Sequence, residues 1–424
     1  MIERVFVGAV LVLGAAFAAP AKAENVPASF DCAKAASAAE KFICAQAVLR
    51  WQDLALSRSY RAARNAVTGA ARDSLLAGQR DWVRDRDRGC IADRTFKDLS
   101  ASSSALRSQA YDCMNSLYIG RRRALQDFAA APLSPRGVEE IDLKPIAAAR
   151  PDIVEGGTVR VSAIRLSPDA TLAAILLPSL EFDDSDQVWL YRIADRKLVA
   201  ATPAPDRQQP HPDGAPAAIK ALAWQDETLY ARVAIWSSDD KGEDGATAVY
   251  AATMDAGRRL DQVPGDIRAL LDKVQSGTVK EDEVPESEGA DLDVVRGNRH
   301  FLVWAADLGH GTIELKMRKR IAGAPVHLVA WGSRSLWRNL FDAERSQLVY
   351  AADTGISVFD MTTHGERRIA GTSAGDQPSA ISADHRLFVW STRNRCGDEF
   401  PAEQDEDAPE RFCLARLSKP EAGK

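Results

Sequence analysis

Gln79-Arg80-Asp81-Trp82-Val83-Arg84-Asp85-Arg86-Asp87-Arg88-Gly89-Cys90 is the stretch from which the rest of the chain can be read. Leu75, Gln79, Trp82 and Arg86 recur at helical spacing and so share one face. That face sets an amide and a guanidinium beside a large aromatic. Polar groups turned inward must find partners or cost roughly a few kcal/mol. The preceding run offers one. Leu49, Leu56, Tyr60, Ala63 and Val67 form its apolar stripe, and Asp53 lies on the same stripe. The spacing predicts that Asp53 pairs with Arg86 under the Trp82 ring. The alternative is two solvated charges on slightly rotated helices.

Working outward, Ser37-Ala38-Ala39-Glu40 is a capping box that starts a helix, and Gly69 separates the second helical run from the third. A further run from about Ser104 places Leu106, Ala110, Cys113, Leu117 and Phe128 on one face. Arg121-Arg122-Arg123 near its end suits the helix dipole, or else forms an anion-binding patch. Three helices of this size need a staple. Cys32, Cys44, Cys90 and Cys113 lie among them, and Cys396 and Cys413 lie far downstream. Six cysteines allow fifteen connectivities, and proximity favours Cys32–Cys44, Cys90–Cys113 and Cys396–Cys413. Metal ligation fits poorly, because no C-x-x-C pair occurs.

Phe30-Asp31-Cys32, Glu40-Lys41-Phe42-Ile43-Cys44, Asp53, Tyr60, Gln79-Arg80-x-Trp82-x-x-x-Arg86-x-x-x-Cys90 and Cys113-Met114 together resemble the lysozyme inhibitor LprI-like family. The family often has Leu where this chain has Met114, a tolerated apolar swap. The resemblance implies an exported, non-catalytic helical domain and, for some members, lysozyme inhibition. It marks Asp53, Tyr60, Gln79, Arg80, Trp82 and Arg86 as structural or binding positions and supplies no catalytic residue.

The whole chain has 424 residues, 46% of them hydrophobic and 27% charged, with a net charge of −6. That balance argues against a general nucleic-acid binder. Residues 24–128 run the other way, with 17 Lys and Arg against 12 Asp and Glu. The start reads as a secretory signal peptide over residues 1–23. Arg4 is followed by an apolar run from Val5 to Ala19, and Ala21-Lys22-Ala23 gives the cleavage pattern. The run is too short to span a membrane. The expected location is the periplasm or the cell exterior.

The helical domain is expected over 24–128 and a Pro- and Ala-rich surface linker over 129–151. From 152 to 420 the texture changes to short apolar runs with period-two alternation. A strand, a tight polar turn and a second strand recur at Ile164–Ile175, Ala223–Tyr230, Arg296–Trp304, Phe341–Tyr350 and Ile381–Trp390. Repeats of about 40–60 residues predict propeller blades. Ser167-Pro168-Asp169-Ala170 resembles the turns of TolB-like or WD-repeat propellers, with Ala in place of their Gly. Between five and seven blades fit, and a β-sandwich is the competing fold. Trp189, Trp224, Trp304 and Trp390 fall inside apolar strands and read as core. The fold class is thus multidomain: a disulfide-stapled three-helix domain followed by a β-propeller-like domain.

Chemistry-bearing patterns are sparse, and no catalytic residue, cofactor or metal site is expected. Gly371-Thr372-Ser373-Ala374-Gly375 has the spacing of a nucleophile elbow, but Pro378 and a strand follow where a helix is needed. The six histidines are scattered. Asp239 to Gly245 misses the order of a calcium loop. A helix is expected near Asp266 to Val274, followed by an acidic loop from Lys280 to Asp293. Asp398, Glu399, Glu403, Asp405, Glu406, Asp407 and Glu410 crowd between Cys396 and Cys413. If that bridge forms, Asp405, Glu406 and Asp407 make a candidate acidic loop that attracts a cationic partner such as lysozyme. The leading expectation is a non-enzymatic binding protein that meets lysozyme or another envelope protein, with no nucleic acid and no membrane span. A propeller scaffold or ligand sensor is the alternative, and a propeller-based hydrolase comes third.

Overall fold

A computed structural model gives the fold. It describes residues 26–100, 105–130, 132–177, 187–201, 217–235, 247–276, 292–308, 311–333, 336, 338–342, 344–382, 384, 386–397 and 408–418. The proposed signal peptide lies outside them. So do Asp239 to Gly245, Lys280 to Asp291, His211, His310 and His385.

The first part is helical: α1 Ala38–Ala45, α2 Ala47–Asn65, α3 Gly69–Cys90, α4 Phe96–Ser100 and α5 Ala105–Ala129. Ser37 and Glu40 form the capping box at the start of α1. The Glu40 N–H donates to Ser37 Oγ at 3.1 Å, and the Ser37 N–H donates to Glu40 Oε2 at 3.0 Å. Phe42, Ile43, Leu49, Leu56, Leu99, Met114, Tyr118 and Leu125 fill the core between the helices. The disulfides are Cys32–Cys44 and Cys90–Cys113, with Cys396–Cys413 downstream. Each contributes about 2–4 kcal/mol by restricting the unfolded chain. On α5 the inward face is Ala110, Met114, Tyr118, Arg122 and Leu125. Leu106, Leu117 and Phe128, expected on the core side, are exposed instead. Interior partners for the Tyr118 hydroxyl and the Arg122 guanidinium rotate the helix away from its plain apolar stripe.

After α5 come β1 Ser134–Glu140, α6 Lys144–Ala149 and the hairpin β2 Val154–Glu155 with β3 Thr158–Val159. The residues expected to be a plain surface linker, 129–151, therefore hold a strand and a helix. Pro135 hid the strand, but β1 is an edge strand, where a missing N–H is tolerated.

Five four-stranded antiparallel sheets follow among the described residues, each running in chain order apart from the fifth. The first is β4 Ala163–Leu166, β5 Leu172–Leu177, β6 Gln187–Arg192 and β7 Lys197–Ala201. The second is β8 Ala217–Gln225, β9 Thr228–Ile235, β10 Thr247–Ala252 and β11 Gly257–Leu260, trailed by α7 Gly265–Ser276. The third is β12 Leu292–Gly297, β13 Phe301–Asp307, β14 Thr312–Lys319 and β15 His327–Ser333. The fourth is β16 Leu340–Asp342, β17 Gln347–Ala352, β18 Gly355–Asp360 and β19 Glu366–Arg368. The fifth is β20 Gln377–Ile381, β21 Leu387–Thr392 and β22 Arg411–Ser418, and its fourth strand is β1. Ser134 pairs with Ser418 and Glu140 with Cys413, so the start of the β region is tied to its end.

Neighbouring sheets share cores. Leu190 of the first packs with Leu229 of the second, and Ile175 of the first with Val389 of the fifth. Val349 of the fourth packs with Phe388 of the fifth, and Leu315 of the third with Leu348 of the fourth. Trp189, Trp304 and Trp390 are buried, as the alternation predicts, while Trp224 is partly covered.

Candidate functional site

The residues that carried the sequence argument converge at the centre of the helical domain. The spacing predicts a direct pair between Asp53 on α2 and Arg86 on α3, and the structure corrects it: the two are joined through a third side chain. Tyr118 of α5 stands between them. Its hydroxyl donates to Asp53 Oδ1 at 3.1 Å and accepts from the Arg86 guanidinium at 2.7 Å. Asp53 Oδ2 takes the Ser29 N–H at 2.8 Å, and Arg86 Nε donates to Asp87 at 2.7 Å. The Arg86 guanidinium carbon lies 5.4 Å from the centroids of both Trp82 and Tyr118, whose rings meet edge to face at 5.5 Å. Burial alone would lower the Arg86 pKa, but Tyr118, Asp87 and Asp53 together raise it. Burial pushes the Tyr118 phenol well above its ordinary range, against the pull of Arg86. The cluster holds three helices in register through one hydroxyl.

The other family-motif residues part company. Gln79 accepts from Arg121 Nε at 3.0 Å, joining α3 to α5. Tyr60 packs at the edge of the core, and Arg80 points into solvent. Tyr118, the hub, was missed from the sequence. Its one signal is the four-residue spacing with Ala110, Met114 and Arg122, which marks the true inner face.

A second constellation joins the helical domain to the sheets. Arg122 reaches Asp353, on the turn between β17 and β18, at 2.7 Å to each carboxylate oxygen, and Gln52 Oε1 at 2.8 Å. Gln52 Nε2 donates to Asp353 Oδ2 at 2.6 Å. Arg58 donates to the Leu328 carbonyl at 2.7 Å, and Arg368 of β19 holds Asp127 at 2.9 Å. Trp51 lies under Arg58 and Arg122, with ring-centroid distances of 5.7 and 5.9 Å. The Arg121-Arg122-Arg123 cluster is thus divided: Arg121 holds a neighbouring helix and Arg122 holds a sheet.

Elsewhere the expected sites take bland forms. Gly371 to Gly375 is a turn between β19 and β20 with no helix after it. Thr372 Oγ1 accepts from the Ile356 N–H at 2.9 Å and donates to Ile369 O at 2.6 Å. A Cβ at Gly355 (φ +112°) would lie 2.6 Å from the Thr372 carbonyl oxygen, so the close approach requires glycine. Among the described residues no group of three or more His, Cys, Asp and Glu could hold a metal ion. The Cys396–Cys413 bridge closes the acidic loop, but Asp405, Glu406 and Asp407 lie outside the described residues.

The cysteine-stapled helices, with Asp53, Trp82 and Arg86 gathered on one tyrosine, coincide with a family match. Residues 32–125 match the family described as Lysozyme inhibitor LprI. This segment is an LprI domain. No curated protein matches the chain. Similar solved structures include TolB from Acinetobacter baumannii, at 11% identity and TM-score 0.24, over 61% of this chain and 55% of that one. A puromycin hydrolase is 13% identical, with TM-score 0.28, over 63% of this chain and 47% of that one. A puromycin-hydrolyzing peptidase of Mycobacterium tuberculosis is 15% identical, with TM-score 0.28, over 57% and 44%. The chain spans about half the length of these three structures.

Proposed function

We propose that the protein is an exported, non-enzymatic binding protein whose LprI domain engages a lysozyme or another envelope protein, mounted on a five-bladed β-propeller. The observation that carries the binding reading is the family match over residues 32–125. Three disulfides suit the oxidising periplasm or cell exterior. Among the described residues no helix is long and apolar enough to cross a membrane. Two features support the propeller. Shared cores run from the second sheet through the first, fifth and fourth to the third, and β1 completes the fifth sheet. On this reading the helical domain spans 24–128 and the propeller 152–420, with Ser134–Glu140 lending its strand to the last blade.

The α2 and α5 faces that carry Trp51, Gln52 and Arg122 are occupied by the sheets. A partner therefore meets the outer face. Leu106, Leu117 and Phe128 stand there 41%, 38% and 52% exposed. Their eleven-residue intervals keep them in one line on α5, with Arg80 on the neighbouring α3. Asp405, Glu406 and Asp407 would steer a cationic partner towards the molecule.

The test is lysozyme inhibition by the full chain. Wild type is expected to inhibit, and Arg80→Glu with Leu117→Asp to inhibit at least tenfold less at an unchanged melting temperature. Absence of inhibition by wild type would overturn the lysozyme reading. Replacing Asp405, Glu406 and Asp407 by Asn should flatten the dependence on salt; an unaltered dependence removes the steering role. A propeller scaffold or ligand sensor without lysozyme activity is favoured by a different observation, the cavity where the first strands of the sheets meet.

A further inference from the structure

The first strands of four sheets, β4, β12, β16 and β20, line one cavity of about 710 Å³. That volume lies within the range of small-molecule sites, roughly 300–1,000 Å³. Arg165 enters it from β4 and Arg296 from β12. Among the described residues each is anchored to backbone: Arg165 to its neighbour's carbonyl on Ile164 at 3.0 Å, and Arg296 to the Asn339 carbonyl at 2.7 Å. Among the described residues neither has a carboxylate partner.

Their surroundings are unfavourable to two cations. Arg165 is exposed to the water of the cavity, and desolvation by the surrounding protein lowers its pKa. Arg296 is pushed down to about 10, first by burial and then by the like charge of Arg165. The remaining charges of the lining are committed or outlying. Asp342 receives the Glu344 and Arg345 N–H groups at 3.0 Å and the Arg345 guanidinium at 3.1 Å. Arg338 is held by Glu410 at 3.0 Å, and Glu344 is exposed. Two interacting guanidiniums without an offsetting acid are a cost to the fold that an incoming anion removes.

We propose that this cavity binds a small organic anion, with its carboxylate or phosphate group received between Arg165 and Arg296. The planar guanidinium fork matches the paired oxygens of either group. Phe341, Ile381 and Phe412 supply apolar wall, which favours an organic body over a bare ion. The site is separate from the LprI domain, so its fate and that of the lysozyme reading are independent.

Isothermal titration of the full chain with citrate and with inorganic phosphate, at constant ionic strength, tests the assignment. Saturable binding is expected. Citrate bound more tightly identifies a carboxylate ligand, and phosphate bound more tightly a phosphate ligand. Arg165→Gln and Arg296→Gln should each weaken binding at least tenfold. Arg165→Gln without ligand should melt no lower than wild type, because a like charge has been removed. If Arg296→Gln fails to fold for want of its anchor on Asn339, Arg165→Gln carries the test alone. No saturable heat with either probe, or equal affinity in Arg165→Gln and wild type, would overturn the proposal. A lower melting temperature for unliganded Arg165→Gln would overturn it too.

Discussion

Arg122 of α5 and Asp353 of the fourth sheet meet at 2.7 Å through both carboxylate oxygens, across 231 positions of chain. The guanidinium is almost completely buried, whereas Asp353 keeps a quarter of its side chain in solvent. Gln52 completes the contact from α2. The pair is one of several contacts that fix the LprI domain on the sheets, with Arg58 on Leu328 and Arg368 on Asp127. Arg122→Ala is expected to cost about 3 kcal/mol, the lower end of the range for a broken buried pair, because Asp353 can recover some water. Urea unfolding checks this, and Asp353→Ala in the Arg122→Ala background should add little. Full additivity would show that the two residues act separately.

Tyr118 is the more informative position within the helical domain. If Asp53 and Arg86 paired directly, removing the phenol oxygen would matter little. With the hydroxyl between them, Tyr118→Phe leaves Asp53 Oδ1 and one guanidinium nitrogen short of a partner at once. A loss of about 1–3 kcal/mol is expected from the unsatisfied groups. The aromatic contact with Trp82 survives the change, so the loss belongs to the oxygen. Chemical denaturation of Tyr118→Phe beside wild type measures it.

How far the sequence could be read follows from the range of the interactions. All five strand-turn-strand copies fall on the step from first to second strand of a sheet, because that step is written in local chemistry. Ser167 and Ser382 each donate to an Asp two residues on, at 2.6 Å, and each accepts the N–H five residues on, at 2.9 Å. Asn298 and Asp342 cap the equivalent turns through their own side-chain oxygens. Ala170 takes the left-handed φ of 58° that a glycine would normally supply, and the turn was recognisable from Ser167-Pro168-Asp169. The short cysteine loops were legible for the same local reason. Nothing local announces that Ser134–Glu140 pairs with Arg411–Ser418, or that Arg122 belongs to Asp353. Both depend on partners more than 200 residues away. The face of α5 was misjudged because three of its interior residues, Tyr118, Arg122 and Gln126, carry polar groups, and an apolar stripe cannot register them.

His327 gives the interface a pH dependence. It opens β15 beside Leu328, whose carbonyl receives Arg58 of the helical domain. Its ring meets that of His364 at 4.9 Å, edge to face. Burial lowers its pKa below the ordinary 6.5, and the neighbouring His364, Arg58 and Lys319 lower it further. The unfolded chain therefore takes up a proton before the folded protein does. The stability that His327 contributes is complete above the ordinary histidine value and is lost as pH falls from there through the lowered folded value. The melting temperature of wild type is expected to decline on acidification from pH about 7 to about 5. His327→Gln, which cannot take the proton, should decline less over the same window. Parallel curves for the two proteins would assign the acid sensitivity to other groups, and a steeper curve for the variant would reverse the sign argued here.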